Sequence, residues 1–127
     1  MFIVRKILGS RINVPEPEMH VAGTAITAGM ALNLTGGTLV VAGETAIPTH
    51  IALADAANGE LVACYAVLPG TMIFEVPLSA APGGVTEGSK LKLNTDGLKV
   101  TATTGGAAIV VDTNGATAAG DTIMVKF

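Results

Sequence analysis

The sequence predicts an all-β chain: a small antiparallel β-barrel or sandwich of about eight short strands, preceded by an extended N-terminal arm. Three observations carry this. Short runs of small and β-branched residues recur between turn signals, at Thr35-Gly36-Gly37, Asn58-Gly59, Asp96-Gly97, Gly105-Gly106 and Asn114-Gly115. The runs are too short and too β-branched for helices. Two of them, Lys90-Leu91-Lys92-Leu93 and Leu98-Lys99-Val100-Thr101-Ala102-Thr103, alternate with the two-residue period of a strand that is solvated on one face.

The arm covers residues 1–20 and the single β-domain residues 21–127. In Val14-Pro15-Glu16-Pro17-Glu18, two prolines fix φ, remove two donors and hold their neighbours extended. That segment is neither helix nor central strand. Ahead of it, Phe2, Ile3, Val4, Ile7 and Leu8 are too apolar to be left in water, so residues 2–8 are expected to form a short edge strand.

Met30–Leu34 and Thr38–Val41 flank Thr35-Gly36-Gly37 and read as a hairpin. A strand at Thr49–Ala54 follows Pro48, and Asp55–Gly59 then forms a connection with room for one helical turn. Glu60–Leu68 is the longest apolar run, so it is expected to be a central strand buried on both faces. Pro69-Gly70 ends it, and Thr71–Val76 is the next strand. Residues 77–89 hold Pro77, Pro82, Gly83, Gly84 and Gly88 and read as a long loop, with a brief helical turn possible at Ser79–Ala81. Asn94–Gly97 turns Lys90–Leu93 into Leu98–Thr103. Ala107–Val111 and Asp121–Phe127 complete the set.

Composition narrows the function classes. The apolar share is 50%, but aromatics are 3% and there is no Trp, so the core is built from small side chains and is thin. Charged residues are 13% and the net charge is −3, with the few basic residues scattered. No electrostatic footprint for nucleic acid exists. So low a charge density suits a surface partly covered by a partner. No apolar segment approaches the ~18 residues of a membrane span. Arg5 and Lys6 interrupt the N-terminus too early for a signal peptide's apolar region, so no membrane passage is expected.

The search for chemistry returns little. Cys64 is the single cysteine and excludes an internal disulfide; its run reads as a small buried hydrophobe. His50 has room to approach Cys64 across strands, but no third orienting group can be named. His20 and His50 lie thirty residues apart, without ligand spacing, and read as structural. Asp55, Asp96, Asp112 and Asp121 stand at turn or strand ends, where Asp accepts backbone N–H groups. Gly83–Lys90 lacks both the spacing and the following helix of a phosphate loop. No serine sits in a nucleophile elbow. Glu60 and Glu75 have room to face each other as a carboxylate pair, but one Tyr and three Phe are few for the aromatic lining of a sugar-cleaving site. Lys126 stands second from the end of the sequence and is not expected to sit at the tip of a carrier hairpin. No enzyme, no cofactor and no metal are expected.

The order of segments from Ala22 to the end resembles the small head decoration (cement) proteins of tailed bacteriophages. The features that carry the resemblance are Ala28-Gly29-Met30-Ala31-Leu32, Ile51–Glu60 and the ending Ala119-Gly120-Asp121-Thr122-Ile123-Met124-Val125-Lys126-Phe127. The resemblance implies an all-β homotrimer on the capsid exterior, assembled in the host cytoplasm. Its partner would be the major capsid protein, and it would clamp the shell against internal DNA pressure. It also implies an arm that orders on the shell, with Phe2, Ile3, Val4, Ile7, Leu8, Val14, Pro15 and Pro17 as candidate capsid contacts. Lambda-type members have a polar arm, unlike this apolar start. The alternative is another virion surface component, a head fibre base or spike, whose loop 77–89 and hairpin tip Asn94–Gly97 would bind host glycans.

Overall fold

Alternation of apolar and polar residues decides most of this structure. In the computed structural model, which describes residues 1–8 and 15–127, eleven strands are present and the described residues contain no helix. They are β1 (Ile3–Ile7), β2 (Glu18–Ala22), β3 (Ala31–Thr35), β4 (Thr38–Val41), β5 (His50–Ala52) and β6 (Leu61–Ala66). These are followed by β7 (Met72–Pro77), β8 (Lys90–Leu93), β9 (Val100–Thr104), β10 (Ala108–Asp112) and β11 (Thr122–Lys126).

The strands make two layers. β2-β4-β3-β5-β6 close into a five-stranded barrel, and β1-β7-β11-β10-β8-β9 form a six-stranded sheet. All pairings are antiparallel except β2 with β4. The sheet curls: Leu78, just past β7, bridges Val100 of β9, and the Ser79 N–H donates to the Val100 carbonyl at 2.8 Å.

Each layer has its own apolar cluster. Under the sheet lie Met72, Phe74, Val76, Leu78, Leu91, Leu93, Val100, Val110, Ile123, Val125 and Phe127, joined by Ala31, Ala42 and Ile51 from the barrel. Burial along β7 alternates strictly, with Met72, Phe74 and Val76 inside and Ile73 and Glu75 half-covered. Each such side chain contributes about 1.5–3 kcal/mol of burial. The barrel interior holds Ala22, Leu32, Leu39, Ala52, Val62 and Cys64, and the cluster extends over Ile26, Met30 and Ala56.

The turn chemistry follows the sequence. Gly36 and Gly37, both at positive φ, form the two-residue loop between paired Thr35 and Thr38. All four aspartates expected to accept backbone N–H groups do so, three of them within their own turns and Asp55 across to a distant one. Asp55 Oδ1 accepts the Ala28 N–H, Asp96 the Leu98 N–H, Asp112 the Asn114 N–H, and Asp121 Oδ2 the Thr117 and Ala118 N–H groups.

Four expectations are corrected. The segment 1–20 is not separate from the β-domain, because β1 pairs with β7 and β2 is a barrel stave. The all-β class itself holds, with eleven strands among the described residues where about eight were expected, the run after Pro17 pairing as soon as the prolines end. β6 is buried on one face only: Val62 and Cys64 point inward, while Leu61 on the outer face is 63% exposed. A barrel stave has one inner face, and here the outer face is apolar without being covered. Finally, Asp55–Gly59 makes no helical turn. Ile26 and Ala56 instead exchange two backbone hydrogen bonds at 2.8 and 3.0 Å. Ser79–Ala81 likewise holds no helical turn.

Candidate interaction surface and side-chain cluster

The candidate contacts at the N-terminus separate by burial. Phe2 is core: it is 3% exposed, its ring stands edge-on to Phe74 at 6.1 Å, and it leans on Phe127 at 5.9 Å. Its backbone N–H donates to the Gly29 carbonyl at 2.8 Å, and the Met1 ammonium donates to the Leu98 carbonyl. Burial lowers the Met1 ammonium's pKa, partly opposed by the charge of Asp96. The start of the chain is therefore docked before any partner arrives.

Ile3 is exposed, whereas Val4, Ile7, Leu8 and Pro15 are half-buried and Pro17 is exposed. Val14 lies outside the described residues. β1 is an edge of the six-stranded sheet, and Arg5 and Lys6 stand on it as exposed charges, which discourage unspecific strand addition. Arg5 Nε pairs with Glu75 Oε2 on β7 at 2.6 Å.

A groove of about 300 Å³ runs between this N-terminal segment and the outer face of the barrel, lined by Met1, Ile3, Ala28, Ile51, Leu53 and Tyr65, among others. At Leu53 it meets an exposed apolar strip. Met19 of β2 stands opposite Ala63 of β6, and Val21 stands opposite Leu61. The Leu53 N–H donates to the Ala63 carbonyl at 2.9 Å, extending the same row past β5. Met19 is 57% exposed, Leu61 63% and Leu53 39%. The outward parity of β2 and β6 creates the strip, and that parity becomes readable once β2 is placed in the barrel.

Of the two loops considered for host glycans, the tip Asn94–Gly97 is packed against the barrel. Gly97 is buried, its carbonyl accepts the Ala31 N–H at 2.7 Å, and Asp96 caps Leu98. The tip is therefore not a free loop. Most of loop 77–89 is exposed, with Leu78 buried as its anchor.

At the opposite face of the same staves, barrel closure brings distant polar residues together. Glu18 and His20 lie two apart on the inner face of β2, and Glu18 stands opposite Cys64 of β6. His50 of β5 stands opposite Ala66, two residues along from Cys64. One carboxylate oxygen, Glu18 Oε2, accepts from His20 Nε2 at 2.9 Å and from His50 Nε2 at 2.8 Å. The two rings are 5.0 Å apart. These contacts, His20's first and then His50's, hold the Glu18 carboxyl below its ordinary pKa. Burial, with the Glu18 charge adding to it, pushes the Cys64 thiol up to about 11, so it is no nucleophile as it stands. In the sequence, His50 has room to approach Cys64 but no third orienting group is apparent. The residues that complete the cluster are Glu18 and His20.

No family model and no curated protein matches the sequence. Among solved structures, the fold is similar to that of the head fiber gp8.5 N base of bacteriophage phi29, with a TM-score of 0.64 and 18% sequence identity. The match covers 88% of this chain and 92% of that one. At this identity the likeness is one of fold, and it extends over both layers.

Proposed function

We propose that this chain is a structural, non-catalytic protein of a tailed-phage virion, seated on the outside of the head. The observation that carries this reading is the near full-length fold likeness to a phage head fibre base. The sequence resemblance to head decoration proteins points the same way through different features. Low charge, a thin core and an uncovered apolar strip support a chain that completes its burial by association.

In this reading the partner is the major capsid protein, the chain is a homotrimer, and neither nucleic acid nor membrane is bound. We assign the Met19–Leu61–Leu53 strip to contact between sister copies. The β1 edge, with exposed Ile3 and half-buried Val4 and Ile7, is assigned to the shell. A strand edge supplies main-chain donors and acceptors in register, which suits addition to a capsid sheet. Docked residues also order at lower cost than a disordered arm.

The finer role follows from how the contacts are used. A cement protein spans capsid subunits and stiffens the shell, whereas a fibre base anchors a projecting domain. The fold likeness favours the second as an alternative worth the same experiment. Co-sedimentation of the purified chain with expanded and unexpanded heads, followed by a heat challenge of the heads, tests both. Binding to expanded heads with a raised temperature of genome release supports cement, and binding without protection supports a fibre base. Absence of binding to either form overturns the head-surface role.

A further inference from the structure

The geometry points to a divalent transition-metal site, of zinc type, at one mouth of the barrel, with His20, His50 and Cys64 as ligands and Glu18 as the fourth donor. The three candidate donor atoms of His20, His50 and Cys64 all lie within 4.8 Å of one another. Glu18 Oε2 sits 2.9 and 2.8 Å from the two imidazole Nε2 atoms. A tetrahedral ion bound at about 2.0–2.3 Å holds its donors roughly 3.3–3.8 Å apart. The two imidazoles and the thiol are thus close enough to share one ion, while Glu18, whose carboxylate touches both imidazoles and is partly exposed, would swing to reach it as the fourth donor.

The donor set matches the ion. Two neutral imidazoles, one thiolate and one carboxylate bring two negative charges to a dication, and mixed nitrogen and sulfur donors select zinc over magnesium or calcium. The supports are rigid: the ligands come from three adjacent staves, β2, β6 and β5, whose register is fixed by backbone pairing. Beneath them lies apolar core, with Val62, Ala52, Leu32 and Leu39 all buried.

An outer partner is also in place. His50 Nδ1 lies 2.8 Å from Thr49 Oγ1, and that hydroxyl reaches the Leu32 carbonyl at 3.4 Å. In the metal-free protein His50 Nε2 donates to Glu18; with an ion in place, the other tautomer has Nδ1–H donating to Thr49 Oγ1 while the Thr49 hydroxyl donates to the Leu32 carbonyl, and the Nε2 lone pair faces the ion. Metal-bound histidines are held in this way by their other nitrogen.

The site would tie β2 to β5 and β6 just after the segment that links the sheet to the barrel. Binding to the folded state alone raises stability by mass action. In a head-surface protein such a clip would fix the barrel mouth, although the site does not depend on that role.

The test uses the full chain, freed of metal with a chelator and titrated with Zn²⁺ alone by calorimetry, then with Co²⁺ alone by absorption. The expected results are one ion per chain, a thiolate-to-cobalt charge-transfer band, and a melting temperature that rises with stoichiometric Zn²⁺. Cys64→Ser should lose the band. Thr49→Val should weaken Zn²⁺ binding by about 10–100-fold, and His20→Gln by more. His20 is half-exposed, so His20→Gln should keep the wild-type circular dichroism and remain informative even if Cys64→Ser fails to fold. Zn²⁺ binding that His20→Gln leaves unchanged would overturn the assignment. So would a Co²⁺ complex without the thiolate band.

Discussion

Replacing Phe2 by Ala separates a docked N-terminus from an arm that waits for the shell. Phe2 is 3% exposed and touches both Phe74 and Phe127 in the sheet core. Phe→Ala in a core costs about 3–5 kcal/mol, and each ring pair accounts for roughly 0.5–1.5 kcal/mol of that. The site borders the Met1–Tyr65 groove, where neighbours can relax, so the lower end applies: about 3 kcal/mol. With a urea slope of about 1.5 kcal/mol per M, the unfolding midpoint falls by roughly 2 M. Equilibrium urea unfolding of the free chain, followed by circular dichroism, reads this directly. A midpoint shift below about 0.5 M, with the slope unchanged, would refute the docked N-terminus. It would also restore the picture of an arm ordered only by its partner.

Three further predictions follow from the same structure. Gly106→Ala should leave little folded protein, because a Cβ there would run into the Leu91 carbonyl and the Lys92 Cα, both backbone; soluble yield and thermal melting check this. Met19→Asp with Leu61→Asp should abolish self-association in sedimentation velocity while leaving the circular dichroism unchanged, since both side chains are more than half exposed; trimers that persist would remove the strip from the sister contact. In acid, the Thr117 and Ala118 N–H groups hold the Asp121 carboxyl below its ordinary 3.8, so its contribution is fully present above that value and is lost as pH falls through the lowered one; Asp121→Asn should melt lower than wild type near neutrality and converge with it in acid, and parallel melting curves at all pH values would contradict this.

Local rules made much of the fold legible in the sequence. Alternation at β8 and β9, glycine pairs at the β3–β4 turn and aspartates at turn ends each act within a few residues. β2 was hidden because Pro15 and Pro17 colour the whole neighbourhood as non-strand, although the restriction ends with the prolines themselves. The outer face of β6 was hidden because an apolar run reads as doubly buried, and nothing local says that one face stays uncovered. The cluster of Glu18, His20, His50 and Cys64 was illegible for a topological reason. His20 and His50 are thirty residues apart and meet only because β2 and β5 both flank β6 in a closed barrel. Its one local trace is Glu18 and His20 sharing a strand face.

The central claim, that this chain sits on the outside of a phage head, is tested most directly by cryo-electron microscopy of expanded heads incubated with the purified chain. The account predicts added density on the outer surface that fits the barrel and the curled sheet, in groups of three, with the β1 edge toward the shell. Heads whose outer surface is unchanged at saturating protein would contradict it.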